Sequence, residues 1–156
     1  MLMDSNGQRT LISNGQDPIE VYNERLFALK RDKRIIEFDR AGKEVRHIDI
    51  SPIVPYYINF TVLPSLNFAL LDNRNDAVHF IDSQGKLLRT VAMSETHSSD
   101  NHLQNISGAV VGKSLLISEN GNGQIIEIDL DTFKASVYKD LSGISTMVFN
   151  TPTPRY

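Results

Sequence analysis

The stretch Asn67–Met93, NFALLDNRNDAVHFIDSQGKLLRTVAM, decides how the rest of the chain is read. Two short apolar runs, Phe68 to Leu71 and Val78 to Ile81, are separated by Asp72-Asn73-Arg74-Asn75-Asp76, a cluster of turn formers. The second run ends in Asp82-Ser83-Gln84-Gly85. An Asp at a strand end accepts hydrogen bonds from backbone N–H groups two or three residues on, and the Gly then supplies the positive φ that closes the turn. A third strand, Leu87 to Ala92, follows. The stretch therefore reads as three antiparallel strands joined by tight hairpins.

Versions of the unit lie on both sides. In Arg25–Ile50, Phe27-Ala28-Leu29 matches Phe68-Ala69-Leu70, and Asp39-Arg40-Ala41-Gly42-Lys43 matches Asp82-Ser83-Gln84-Gly85-Lys86. In Ser114–Leu141, Ile126-Glu127-Ile128-Asp129 matches Ile36-Glu37-Phe38-Asp39, and the turn Asp129-Leu130-Asp131-Thr132 lacks the glycine. The opening Asp4-Ser5-Asn6-Gly7 is the tail of one more copy. The recurring Asp falls at 4, 39, 82 and 129, spacings of 35, 43 and 47 residues, the period of a four-stranded propeller blade. A further, innermost strand is expected before each unit, at Ile19–Tyr22, Tyr56–Leu63, Ile106–Val111 and Ile144–Asn150.

The expectation is an all-β β-propeller with about three full four-stranded antiparallel blades, over residues 14–50, 51–93 and 94–141. A split blade would join 1–13 to 142–150, with 151–156 an irregular tail. The third strand of each unit is apolar on both faces, as a sheet stacked between two others requires. Lys43, Arg46, Lys86, Arg89, Lys134 and Lys139 place charge in or near the outer strands, which protects an exposed edge. About four blades would make a very small closed ring; half of a larger ring, or a piece of a longer protein, is the alternative. An open arc leaves apolar faces bare and predicts self-association or a partner chain that completes the ring.

Composition narrows the function classes. The 156 residues are 40% hydrophobic and 22% charged, globular values. A formal net charge of −3 with scattered Lys and Arg gives no field for nucleic acid. With no Cys there is neither disulfide nor thiolate chemistry. No apolar run approaches the ~20 residues of a spanning helix, so membrane insertion is not expected. MLMDSNGQRT does not read as a signal peptide; the compartment stays open, and a secreted or periplasmic parent is compatible with the sequence.

Asp72-Asn73-Arg74-Asn75, Val78-His79-Phe80 and Gly85 with Leu87-Leu88-Arg89 resemble the repeat of NHL-type propellers, and Tyr56 to Ala69, YYINFTVLPSLNFA, is similar to six-bladed propellers of bacterial surface and periplasmic systems. The first unit departs from the pattern: its hairpin between Leu29 and Ile35 is two residues shorter and lacks the Asn. The third carries Glu119-Asn120-Gly121-Asn122-Gly123 instead. The resemblance implies a binding platform, or in a minority of cases a metal-dependent lactonase or lyase.

Candidate site residues follow from loop position. Glu119, Asn120 and Asn122, with Asp72, Asn73 and Asn75, fall in equivalent second-to-third-strand loops, on the rim shared with the connections into the inner strands. Oxygen ligands there suit a Ca²⁺-like ion, and the resemblance implies such a site by analogy with gluconolactonase-type propellers. Hairpin chemistry explains the same Asn and Gly residues more simply, so no cofactor is the default expectation and Ca²⁺ the exception. His97 and His102 flank Asp100 in the long polar loop 94–105, a set compatible with Zn²⁺ or acid–base work and equally with a solvated loop; Asn105 closes that loop. Tyr56 and Tyr57 begin an expected inner strand and offer rings to a ligand or to the next blade. His79 sits where the repeat has Ile36 and Ile126, which argues for a packed, hydrogen-bonded histidine. No nucleophile–base motif stands out. The reading is a non-enzymatic module for a protein or glycan ligand; the alternatives are a metal-dependent lactonase or hydrolase, or a structural module completing a larger propeller.

Overall fold

A computed structural model describes residues 2–3, 9–10, 17–56, 58–93, 106–119, 121 and 123–140. Fourteen strands are present among them: β1 (Leu2–Met3), β2 (Arg9–Thr10), β3 (Ile19–Tyr22), β4 (Arg25–Leu29), β5 (Arg34–Phe38), β6 (Glu44–Asp49), β7 (Asn59–Val62), β8 (Phe68–Asp72), β9 (Ala77–Ile81), β10 (Leu87–Ala92), β11 (Ser107–Val111), β12 (Ser114–Glu119), β13 (Gln124–Asp129) and β14 (Ala135–Asp140). Twelve of them build three four-stranded antiparallel meanders, β3-β4-β5-β6, β7-β8-β9-β10 and β11-β12-β13-β14, here blades 1, 2 and 3. β1 and β2 pair as a separate two-stranded sheet. The expected closing strand 144–150 and the tail lie outside the described residues.

The blades stack face to face in chain order, with β7 beside β3 on one side and β11 on the other. Strand alternation sends successive side chains to opposite faces, so blade 2 feeds two cores. Phe60, Phe68, Leu70 and Ile81 meet Phe27, Leu29, Ile35 and Ile48 of blade 1. Ala69, Leu71, Val78 and Phe80 meet Leu115, Ile117, Ile126 and Ile128 of blade 3. Phe27 and Phe68 touch edge to face, with ring centroids 5.5 Å apart.

The Asp turns form, with the second donor four residues on in blades 1 and 2 and three residues on, as the sequence predicts, in blade 3. Asp39 Oδ1 accepts from the Ala41 and Lys43 N–H groups, Asp82 Oδ1 from Gln84 and Lys86, and Asp129 Oδ1 from Asp131 and Thr132. Gly42 and Gly85 adopt φ of 80° and 87°; in the longer third turn Phe133 takes that place at φ 57°. The outer strands of blades 1 and 2 carry a register shift close to this turn, and that of blade 3 carries one at its far end, between Val137 and Lys139; such a shift adds the twist that turns an edge away from pairing.

Two expectations need correction. Phe27-Ala28-Leu29 does not superpose on Phe68-Ala69-Leu70. Leu29 pairs Ile35 as Leu71 pairs Val78, so the true match is one residue further on. A one-residue slip exchanges the two faces of a strand, which explains how Phe27 and Phe68 meet across one interface. The first hairpin is then one residue shorter than the second, not two. The inner strand expected at Tyr56–Leu63 is only Asn59–Val62; Pro55 and Tyr56 lie before it in a bend.

The outer-strand charges also bridge blades. Arg46 Nε lies 2.7 Å from Glu37 Oε2, whose other oxygen meets Arg25, and the Arg46 guanidinium donates to the Ser83 carbonyl of blade 2. The equivalent Arg89 covers the Phe133 ring of blade 3 at 4.7 Å. On blade 3 the corresponding residue is Ser136, facing Glu127.

Candidate functional site

The second strand of blade 2 ends on Asp72, whose side chain faces blade 1 and is fully buried. A buried carboxylate persists only if its lone pairs are filled. Oδ1 accepts from the Arg74 and Asn75 N–H groups, each at 3.1 Å. Oδ2 accepts from Tyr56 Oη at 2.6 Å and Asn75 Nδ2 at 2.9 Å, and lies 2.9 Å from His79 Nε2. Burial pushes the Asp72 pKa up, but the Tyr56, His79 and Asn75 hydrogen bonds outweigh it and hold the carboxyl below its ordinary value.

Tyr56 comes from the connection into β7, and its phenol also accepts from Asn75 Nδ2. Burial, and secondly the bond to Asp72, push its pKa up to about 12. The exposed Arg74 guanidinium lies 4.6 Å above the Tyr56 ring, a stack worth about 0.5–1 kcal/mol at an exposed site. His79 lies opposite Thr90 in the ladder and its Nδ1 is 2.9 Å from Thr90 Oγ1. With Asp72 ionised, Nε2 carries the ring proton, and a neutral imidazole then accepts from Thr90 at Nδ1. The order hydroxyl–imidazole–carboxylate is that of a nucleophilic triad. Here, however, both Asp72 oxygens are already filled, so the chain of bonds fixes the imidazole and, through Asp72, the phenol.

The same place in the repeat is charged in all three blades. Lys30 follows β4 and lies 2.9 Å from Asp17, on the connection into β3. Glu119 ends β12, is 2% exposed, and accepts from the Gly121 N–H at 2.5 Å. In blades 1 and 2 a buried or half-buried polar group at the end of the second strand thus meets a side chain from the connection entering that blade.

Of the sequence-expected site residues, the structure brings Tyr56, Asp72 and Asn75 into one network and leaves Asn73 as a half-buried turn residue beside it. Tyr57, His97, His102, Asn105, Asn120 and Asn122 lie outside the described residues, so the metal set is represented by Glu119 alone. Among the described residues no three His, Asp or Glu side chains converge on an ion-sized point. Lys30, Asp17, Arg74 and Thr90 were missed. Aligning the units on strand pairing would have placed Lys30 with Asp72 and Glu119; the literal match of Phe-Ala-Leu to Phe-Ala-Leu hid it.

Three sheets of this topology, stacked about the short inner strands, define a β-propeller arc. Solved structures agree. A protein of unknown function from Bacteroides caccae matches with a TM-score of 0.62 and 11% identity, over 84% of this chain and 47% of that one. Virginiamycin B lyase from Staphylococcus aureus matches at 0.58 and 17%, over 88% and 47%, and Myxococcus xanthus glutaminyl cyclase at 0.54 and 14%, over 80% and 52%. At these identities the likeness shows the fold alone, and this chain spans about half the length of those proteins. No protein-family model and no curated protein matches the sequence.

Proposed function

We propose that this protein is a binding module built on NHL-like propeller repeats, presenting the rim around Tyr56 and Arg74 to a protein or glycan ligand. One observation carries the reading. The Asp72 carboxylate accepts donors on both oxygens and so holds the Tyr56 ring under an exposed guanidinium, which makes the site a fixed platform rather than a poised base. Glycan and peptide arrays probed with the wild-type protein and with Arg74→Ala test it. The expected result is a ligand of either class that Arg74→Ala loses and Lys113→Ala, at the opposite rim, keeps. Array binding indifferent to Arg74, or turnover of a lactone by the wild type, would defeat the reading.

A metal-dependent hydrolase has one observation in its favour: Glu119, nearly fully buried at the repeat position of Asp72. A Ca²⁺ titration of the melting temperature separates the two. A binding module without a resident ion shows no rise; a large rise abolished by Glu119→Ala would favour the hydrolase. Completion of a larger ring by a second chain is favoured by the half-length match and by Ile19 and Val21, 42% and 67% exposed on the outward flank of blade 1. Light scattering at twice the chain mass would support it.

A further inference from the structure

Blades 2 and 3 enclose a pocket of about 260 Å³ at the rim opposite Asp72. Leu63 and Phe80 form its buried floor, and the half-buried Leu130 and Phe133 its wall. Phe80 and Phe133 meet edge to face at 4.9 Å, leaving ring faces to which a further aromatic group can pack. At the mouth lies Asn67, half-buried, whose side-chain amide has no hydrogen-bond partner among the described residues. Across from it, Lys113 Nζ and Asp131 Oδ2 pair at 3.0 Å, so the mouth is polar but carries no net charge.

Phe133 gives the pocket a reason to exist beyond packing. Its N–H bonds the Asp129 carbonyl just as the N–H of Gly42 bonds Asp39 and that of Gly85 bonds Asp82. It therefore occupies the glycine's place in the repeat at φ 57°, a backbone region bulky residues rarely hold. Ser65 and Leu66, beside Pro64 and Asn67 on the other lip, are also left-handed, at φ 63° and 58°. Strain of this kind concentrates at ligand clamps. Here the third blade departs from the rule of the other two and places a ring over the pocket.

We propose that this pocket binds a planar aromatic group of about two fused rings bearing an amide, the chemistry that a tryptophan presents within a peptide. The size follows from the volume, since a dry cavity of roughly 150 Å³ accepts benzene. The amide follows from the unfilled Asn67 carboxamide and the neutral Lys113–Asp131 pair. The site stands independently of the Tyr56 rim.

Amide-resolved NMR titrations with N-acetyltryptophanamide and with free indole test the proposal. Expected are saturable shifts at the Asn67, Gly112 and Phe133 amides, with indole and the Asn67→Ala protein each binding roughly tenfold more weakly. Phe133→Gly should lose the shifts while the rest of the amide spectrum stays dispersed as in wild type, because the glycine the turn prefers offsets part of the Phe80 and Arg89 contacts given up. Leu88→Trp, which fills the pocket from its edge, should lose them too, and Arg74→Ala should keep them. Absence of saturable shifts, or equal binding by Phe133→Gly, overturns the site. Equal affinity for indole and the amide overturns the Asn67 contact.

Discussion

At the scale of single residues, Asp72 concentrates the most chemistry in the least exposed place. Its folded pKa lies below that of the unfolded carboxyl, near 3.9. The unfolded chain therefore binds the proton more readily, and the stability Asp72 contributes is present above that value and lost as pH falls through the folded one. Asp72→Asn should cost about 1–3 kcal/mol near neutral pH, where buried donors lose a charged acceptor. It should also flatten the melting-temperature profile below pH 5 relative to wild type. Asp82 and Asp129 shift in the same direction but are common to both proteins, so the difference between the two profiles isolates Asp72. Tyr56 shifts the opposite way. Its folded pKa near 12, against an ordinary 10.0, means that its contribution is complete below pH 10 and disappears as the pH approaches 12. Ultraviolet titration should show one late-ionising tyrosine that Tyr56→Phe removes; an unchanged curve would contradict the buried bond to Asp72.

At the scale of elements, the Asp–Gly turn locks one blade to the previous one as well as reversing the chain. Gly85 sits at φ 87°, and a Cβ there would come within 2.5 Å of Ile48 Cγ2 on the outer strand of blade 1. Gly85→Ala should cost about 2–4 kcal/mol, combining left-handed strain with overpacking. Gly112, at φ 60° with nothing within 4 Å of its Cβ position, should cost only the strain, about 1–2 kcal/mol. Chemical denaturation of both variants measures the difference, and equal costs would deny the turn its interblade role. The turn itself was legible because Asp and Gly act on their own backbone within four residues. The pairing of β4 was not, because Phe-Ala-Leu repeats literally while the hairpin length changes, and only the ladder reveals which Phe shares a face with which.

For the whole molecule, blade 2 holds the arc together, since among the described residues it alone of the three has both faces covered by another four-stranded blade. Phe68 lies at the centre of the interface between blades 1 and 2, touching Phe27 and within 6.4 Å of the Phe60 ring. Phe68→Ala should cost about 3–5 kcal/mol and broaden the melt, because stacked repeats rely on neighbour contacts for cooperativity. A sharp transition with a loss under 1 kcal/mol would show that the blades fold as independent units. Blade 3 turns a different face outward. Where blade 2 buries Leu71 and Phe80 and reaches over with Arg89, blade 3 has Ser118, Glu127 and Ser136, with Leu116 and Ile125 half-covered among them. That replacement of apolar and bridging groups by small polar ones suits a surface in water better than another blade interface.

The amino-acid sequence by itself determined the blade period, the hairpin turns and the apolar third strands, because each depends on side chains acting on their own backbone or on a periodicity of two. It also marked Asp72, Asn75 and Tyr56 as a neighbourhood, through loop position. Only the tertiary structure decided that the three share one hydrogen-bonded network, that Arg74 stacks above it, and that Lys30 occupies the place of Asp72. Those relations depend on which face of a strand meets which neighbour, and a single residue of register, invisible in a chain with uneven hairpins, exchanges one face for the other.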